Sequence, residues 1–572
     1  MYNNKQNLIY FSLILLLGST ALLTITINFH SQSISNYDST SLKTSGTFNE
    51  IVINALDTTN TSNTGNWTWA KSIGLCTGSG TPGNPYVITN HLFNSSGIGS
   101  CLTIANSRVN FRIRDCTFTN SPSFSAGLYL ANTTNGEVID CTIFNNYAGI
   151  LMVYVNDTEI RDSHIYQNNN IGIIVANSLF NIISGNNVSV NFDHGILLST
   201  SQYNTISNNI FNDNQNFNGI TLESESNYND IVSNTVNTNQ ENGISLDDSH
   251  WNTISKNEAN DNTQYGIYLV VSTRNSILSN TVNENVLGIV FDTSSHYTTV
   301  SKNTANSNDA LGILGSDSNA NSISQNTVNH NNVAGIYLDN CDDSAISGNT
   351  AYNNTVMGIY MLNVFNVTCS DNLVYEIKMW GIYLDNGDEC LIENNNAHHN
   401  NFYGIYLDSG SQVNVIKSNL ARYNNLSGIY IQSSSNNLLI DNIASYNLEH
   451  GIFIDSSNNI VISGNTANNN EENGIHLLNS NSNTIISNTA NHNKNGTFLD
   501  SSNNNKVIDN LFIGNEACYN ETASSGNIFE NNRCSAPGGL SIDLSTILLI
   551  LVIAEGVAIG VIALALLIRK RK

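Results

Sequence analysis

The sequence predicts an all-β fold, a parallel β-helix solenoid with coils of about 23 residues. Three observations predict it. From Gly127 a glycine followed by two or three apolar residues recurs at Gly149, Gly172 and Gly195 and onward to Gly474 and Gly496, at intervals of 22, 23 or 24 residues. A fixed period in this range marks a repeat architecture. Within each repeat the apolar residues alternate, the period of a strand with one buried face. No segment of the repeat carries a helical apolar stripe of ten or more residues, which disfavours leucine-rich and helical solenoids.

One repeat, from Gly335 to Met357, gives the elements in order. Ile336 and Leu338 alternate with Tyr337 and Asp339, so the first strand buries Ile and Leu and turns Tyr and Asp outward. Asn340 to Ser344 form a polar turn, a short strand surrounds Ile346, and Asn349 precedes a third apolar position at Ala351. An Asn-rich turn then returns the chain to Gly358. Equivalent residues stack about 4.8 Å apart, so roughly seventeen such coils make a rod on the order of 80 Å long. Nine residues before most repeat glycines stands an asparagine: Asn186, Asn234, Asn257, Asn303, Asn326, Asn349, Asn372, Asn395, Asn419, Asn442 and Asn465. Asn tolerates left-handed backbone, and its amide can bond the equivalent amides on neighbouring coils. This column is read as structural.

The motif G-I-x-L followed by x-N-x-I-x-x-N-T-A/V, as in GIYLDNGDECLIENNNAHHN (381–400) and GIFIDSSNNIVISGNTANNN (451–470), resembles the right-handed parallel β-helix repeat proteins of the NosD type, in the pectin-lyase-like superfamily. The resemblance covers roughly residues 100–515. The segment GSGTPGNPYVITN (78–90) resembles the entry segment that precedes such helices. The resemblance implies the handedness of the coil and a sugar-related superfamily. Fold alone does not fix function.

Expected organisation is a signal peptide or signal anchor over 1–30, an N-terminal cap over 31–100, and the repeat domain over 101–515. A C-terminal cap and linker (516–540), a transmembrane helix (541–568) and a basic tail (569–572) follow. The apolar run Leu8 to Ile27 has the length of a membrane span. Ile547 to Ile568 is apolar apart from Glu555, and Arg569-Lys570-Arg571-Lys572 follows it, which places the tail in the cytoplasm and the repeats outside the cell. The expected location is therefore a single-pass cell-membrane protein with an extracellular repeat domain. The sequons at Asn60, Asn66, Asn94, Asn366 and Asn520 permit glycosylation there.

The chain holds 20 Lys/Arg against 45 Asp/Glu, a formal net charge of −25. Five of its cations, Lys5 and Arg569 to Lys572, sit in the terminal segments, so the repeats are more acidic still. Nucleic acid is excluded as a partner, because phosphate binding needs a basic footprint. Nine cysteines show no metal-type spacing. Cys518 and Cys534 flank a short terminal loop, and Cys116 and Cys141 occupy equivalent corners of neighbouring coils. Both pairs are candidate disulfides, and small buried thiols are the plainer alternative.

The candidate site is the outward column two residues after the repeat glycine: Tyr337, Tyr360, Tyr383, Tyr406, Tyr430 and Phe453, then His476 and Phe498. Two residues further lie Asp247, Asp292, Asp339, Asp385, Asp408, Asp455 and Asp500. Stacked, the rings form an exposed aromatic strip edged by carboxylates, a surface suited to an extracellular polysaccharide or a surface protein. The competing explanation is that Tyr has high β propensity and pairs well with itself across strands. Oxygen ligands of this kind suit Ca2+, though solvated turn aspartates are the plainer reading; no other cofactor is expected. For catalysis, Asp247-Asp248 and Asp342-Asp343 are adjacent acidic pairs, and Asp193-His194-Gly195 and His450-Gly451 faintly resemble polygalacturonase fragments. The full acidic and basic set of that family does not assemble, nor does the Arg-plus-Pro signature of pectate lyases. His398-His399 is the sole adjacent His pair and gives copper little to bind. The leading expectation is a membrane-anchored binding module; the alternatives are a polysaccharide lyase, hydrolase or epimerase, and a structural envelope rod.

Overall fold

The computed structural model describes residues 46–535. In each coil a strand of sheet I, such as Ala334–Asp339, is followed by a short strand of sheet II, such as Ala345–Ser347, and a strand of sheet III, such as Thr350–Tyr352. The next coil returns to sheet I at Met357–Leu362. All strand pairs within the sheets are parallel, and successive coils run in matched register: Ile336 faces Ile359, Tyr337 faces Tyr360 and Leu338 faces Met361. Sheets I and II run the whole length, while sheet III thins to single-residue bridges such as Thr281 to Thr304 over the middle coils.

Ile336, Leu338, Ile346 and Ala351 from one coil are all fully buried, so the three inward faces meet in one continuous apolar column. The repeat glycine marks where sheet I is pressed against its neighbour. A Cβ on Gly335 would lie 2.7 Å from the Gly358 carbonyl oxygen and 2.9 Å from the Asn354 amide nitrogen. Tight packing, rather than a left-handed turn, therefore sets the 23-residue clock. The left-handed residues sit at the corners instead: Asn340, Asp343, Gly348 and Asn353 have φ of 54°, 54°, 63° and 52°. Asn, Asp and Gly tolerate that conformation best.

The asparagine column is an unbroken ladder. The Asn349 side chain donates to the Ile323 carbonyl at 2.9 Å and to Asn372 Oδ1 at 3.0 Å, and its own Oδ1 accepts from the Asn326 N–H and Nδ2, both at 2.9 Å. The same pattern runs from Asn186 through Asn209, Asn234, Asn257 and Asn280 to Asn488, Asn510 and Asn532. Asn209, Asn280 and Asn488 escape a fixed offset from the glycine because the variable residue of a coil falls between them and it. A second ladder, Asn146 to Asn354 and Asn400 to Asn515, lines the corner between sheets III and I. Four residues before many repeat glycines is its signature. Buried amides arranged this way satisfy one another.

Among the described residues there are twenty coils, more than the seventeen glycines mark, because rungs at Ile51–Asn54, Leu102–Ala105 and Ala517–Thr522 carry no glycine of the series. At the N-terminal end the strand Thr64–Gly65 pairs with the first rung, and the helix Trp67–Ser72 folds over the open core. Asn66 caps that helix through the Thr68 and Trp69 N–H groups. Trp67 is buried there, stacks on Tyr86 at 4.7 Å and donates to Ser107 Oγ at 3.0 Å. Such a plug protects the exposed end of a solenoid.

Cys518 and Cys534 are disulfide-bonded, with a Cα separation of 5.7 Å. Cys116 and Cys141 are not: both are free buried thiols, each pointing at a carbonyl of its own corner (Arg114 and Ile139, both 3.3 Å). Burial pushes the Cys116 thiol up to about 12. The other five cysteines are also free and buried. Among the described residues no helix is long and apolar enough to cross a membrane. The signal or anchor over 1–30 and the span over 541–568 lie outside the described residues.

Candidate functional site

The outer face of sheet I carries the candidate residues, since its inward positions are filled by the core. Two columns lie side by side on it. One is formed by the residue before each repeat glycine and the other by the residue two after it. The second column stacks as its spacing requires. Ring centroids are 4.8 Å apart for Tyr337 and Tyr360, then 4.9, 4.6, 5.2 and 4.8 Å on through Tyr383, Tyr406, Tyr430 and Phe453. His476 and Phe498 continue the stack at 4.8 and 5.0 Å.

The strip is not the open surface that alternation implied. Tyr360, Tyr383, Tyr406 and Tyr430 are only 2, 8, 7 and 6% exposed, and Tyr337 and Phe453 are partly buried. Each ring face is covered by the rings above and below, and the first column closes the flank. Trp380 packs on Tyr383 at 5.5 Å and Tyr403 on Tyr430 at 4.6 Å. The rings form a second apolar layer outside the sheet, and stacking a sugar on their faces is not available. Hydroxyl edges and the adjacent carboxylates remain.

Those carboxylates are held by the phenols. The Tyr360 hydroxyl donates to Asp385 at 2.8 Å and the Tyr430 hydroxyl to Asp455 at 3.2 Å, and the Tyr406 hydroxyl lies 2.7 Å from Asp408. Asp339 accepts from Asn363 Nδ2 at 3.2 Å, and burial raises its carboxyl above the usual range. Burial, then the neighbouring Asp385 charge, pushes the Tyr360 hydroxyl well above its ordinary value. Tyr403 rises to about 12, again chiefly through burial.

Over the coils that begin at Gly195, Gly219 and Gly243 the same face carries polar residues. His194, Asn218 and Asn242 occupy the first column and Thr221 and Ser245 the second. The Asn218 N–H donates to His194 Nδ1 at 3.3 Å, Thr221 Oγ1 lies 3.0 Å from the same nitrogen, and Asn218 Nδ2 donates to Thr221 Oγ1 at 3.0 Å. These bonds leave His194 Nε2 to carry the ring proton, 3.5 Å from Asp193 Oδ1. Asn170 donates to Asp193 Oδ2 at 3.1 Å, whereas Oδ1 is buried without a hydrogen-bond partner among the described residues. Burial lowers His194, while burial and then the Asp193 charge raise Glu241. A faint family resemblance drew attention to Asp193 and His194 in the sequence but not to Asn218, Thr221 or Glu241, which come from the next two coils.

The adjacent acidic pairs do not converge. Asp342 accepts from the Phe365 N–H and Asp343 from the Asn366 side-chain amide, so each is engaged separately by the next coil. Burial, then Asp248, raises Asp247, and Asp248 faces His250 at 3.5 Å. His398 and His399 bring their Nδ1 atoms to 2.7 Å. Among the described residues no group of three or more His, Cys, Asp or Glu side chains could hold a metal ion.

A solenoid of parallel coils with buried amide ladders and an aromatic strip on the outer face of one sheet is the class of protein that these features define. The model of the right-handed β-helix region matches residues 96–249 and 380–534, more than half of the chain, and the chain belongs to that family. The model of NosD, a periplasmic copper-binding protein, matches residues 218–376. The donors within that stretch do not fit copper: His250, His296 and His330 lie on separate coils, and Cys341 and Cys369 are buried in the core. No curated protein matches the chain. Among solved structures, the mannuronan C-5 epimerase AlgE6 A-module of Azotobacter vinelandii is 14% identical over 52% of this chain and 87% of its own, with a TM-score of 0.35. The periplasmic alginate epimerase AlgG is 13% identical over 62% and 89%, with a TM-score of 0.36. The Dettilon tailspike protein gp208 is 15% identical over 64% and 60%, with a TM-score of 0.29. At these values the three carry no argument about activity.

Proposed function

We propose that this chain is a surface-displayed β-helix that binds a polysaccharide along the outer face of sheet I. One observation carries the reading: a row of carboxylates, Asp385, Asp408 and Asp455, is fixed by tyrosine hydroxyls at the edge of a rigid sheet. A polymer rich in hydroxyl donors meets acceptors already in place, so binding costs little ordering of the protein. Contact runs through these edges rather than through ring faces. Ca2+ bridging an acidic polymer to the same row belongs to this reading. So does membrane attachment through Ile547 to Ile568, with the repeats and their sequons outside the cell.

Retention of the full chain on a panel of immobilised polysaccharides tests the proposal. The D385N/D408N double variant keeps the fold, and its retention falls about tenfold if two charge-assisted bonds are lost. Equal retention of wild type and variant on every polymer sinks it.

The polar stretch of the face favours a second reading, an enzyme acting on the same polymer. A histidine held neutral between a carboxylate and a hydroxyl, beside a second carboxyl with raised affinity for its proton, supplies a general base and a general acid. Mass spectrometry of a polymer incubated with the chain decides: shortened, unsaturated or epimerised product lost in both H194Q and E241Q assigns turnover to this cluster. Unchanged polymer rules the enzyme out for that substrate.

A further inference from the structure

At the corner between sheets I and II, one position two residues before each sheet II strand is left-handed in coil after coil. In the later coils residues without a ring fill it: Ala320, Asp343, Asn366, Glu389, Val413, Asn436, Asn459, Ser482 and Asn504. Six successive earlier coils place Phe180, Tyr203, Tyr228, Trp251, Arg274 and Tyr297 there, with φ between 57° and 59°. Their side chains stack outward as a ridge. Phe180 and Tyr203 lie 5.2 Å apart, Tyr203 and Tyr228 5.1 Å, and Tyr228 and Trp251 6.0 Å. Unlike the strip on sheet I, this ridge is open: Tyr228, Trp251 and Tyr297 are 44, 49 and 55% exposed.

Arg274 completes the ridge. Its guanidinium carbon lies 5.0 Å from the Trp251 ring centre and 4.8 Å from that of Tyr297. Both faces of the guanidinium are covered, so its N–H edge is the part left to solvent. Among the described residues Arg274 enters no ion pair. In a chain of net charge −25 with more than twice as many carboxylates as cations, an arginine fixed between two rings and left without a carboxylate is placed for an anion from outside. Beyond Tyr297 the next residue of the column is Ala320, a single methyl group. The far face of Tyr297 therefore meets no ring of the same column in the next coil, and Asp343 stands one coil further on.

We propose that this ridge binds an anionic sugar polymer. The acid group of one sugar takes the N–H edge of Arg274, and the ring of a neighbouring sugar lies on the open face of Tyr297 over Ala320. Asp343 stands one coil beyond Ala320 to accept from sugar hydroxyls. A row one side chain wide suits a linear polymer; a protein partner needs a broad patch of about 800 Å² on each side. The site is distinct from the sheet I face and does not rest on it.

Titration of the full chain by calorimetry tests the ridge, using an oligo-uronate, its methyl ester, dextran sulfate and polyglutamate. Oligo-uronate or dextran sulfate binds, and which one does identifies the acid as carboxylate or sulfate. The methyl ester binds at least tenfold more weakly than the free acid. R274Q loses about tenfold in affinity, as expected for a charge-assisted pair; R274K recovers part of it, and Y297A loses a comparable amount. The column already holds Ala, Asn and Ser, so these variants keep the wild-type melting curve. D385N/D408N leaves this binding unchanged, which separates failure of the ridge from failure of the sheet I reading. Wild-type affinity in R274Q, equal binding of ester and acid, or binding of polyglutamate alone overturns the proposal, the last result giving the ridge to a protein.

Discussion

The Tyr406 hydroxyl lies 2.7 Å from the Asp408 carboxylate two residues along its own strand, while its ring is clamped between Tyr383 and Tyr430. One side chain thus serves packing with its faces and electrostatics with its edge. The two roles separate by mutation. Y406F keeps the stack and costs about 1 kcal/mol, the net worth of one hydrogen bond. Y383A opens a gap in the middle of the strip and costs about 3 kcal/mol, the lower end for removing a buried aromatic ring. Urea unfolding measures both. A cost near zero for Y383A would mean that the strip is surface decoration.

The amide ladder predicts a larger and more local penalty. N349L keeps the branching of the side chain but leaves the Asn326 N–H and one hydrogen of its amide without an acceptor and takes the side-chain donor from the Ile323 carbonyl, while Asn372 Oδ1 keeps the Asn349 N–H. Buried groups left short of partners, at about 1–3 kcal/mol each before relaxation, bring the cost to about 4 kcal/mol. Because each coil touches only its neighbours, hydrogen exchange should accelerate most between residues 323 and 372. The exposed corner variant N340S, outside the ladders, stays within about 0.5 kcal/mol of wild type. Uniform acceleration along the solenoid would contradict this.

A histidine pair gives a pH dependence of known sign. His450 Nε2 and His476 Nδ1 are 3.1 Å apart. Burial, then His476 and Lys494, pushes His450 down to about 3. Burial pushes His476 down to about 4, against Asp500, Asp455 and Glu472. Both values lie below that of an unfolded histidine, about 6.5. Between there and about 3 to 4 the unfolded chain binds more protons than the folded one, so stability falls as the pH falls through this window and is complete above it. Comparing H450Q/H476Q with wild type cancels the shared carboxylates. The variant should lose less stability between pH 7 and 4.5; an equal loss would show that the pair does not stay neutral.

Much of this was legible in the sequence, and the gaps have physical causes. Glycine spacing gave the coil because no side chain fits where Gly335 meets Gly358. Alternation placed Tyr360 on the outer face correctly but could not show that face covered, since Trp380 and Tyr403 come from the position before the glycine and from other coils. The ladder through Asn209 and Asn280 was partly hidden because coil lengths vary by one residue on either side of it. The His194 cluster was half visible: Asp193 and His194 adjoin in sequence, whereas Thr221 and Glu241 reach them only through coil stacking. The ridge from Phe180 to Tyr297 shows no apolar alternation, because a corner column repeats once per coil and follows no strand period.

Cysteine chemistry separates the two ends of the fold. Reduction of the Cys518–Cys534 bridge, which closes the last coil across 16 residues, removes about 3 kcal/mol of loop-closure stabilisation from that coil. The nearest-neighbour character of the solenoid confines the effect, so exchange should quicken over residues 517–535 and hold elsewhere. The seven free thiols are buried, and burial pushes Cys390 up to about 11 and Cys341 and Cys369 up to about 12. Alkylating reagents attack the thiolate, so these residues should stay unlabelled at pH 8 in the folded chain and react once urea unfolds it. Mass spectrometry counts the labels. Rapid native labelling of Cys116 or Cys141 would place those thiols at the surface and refute their burial at the corner between sheets II and III.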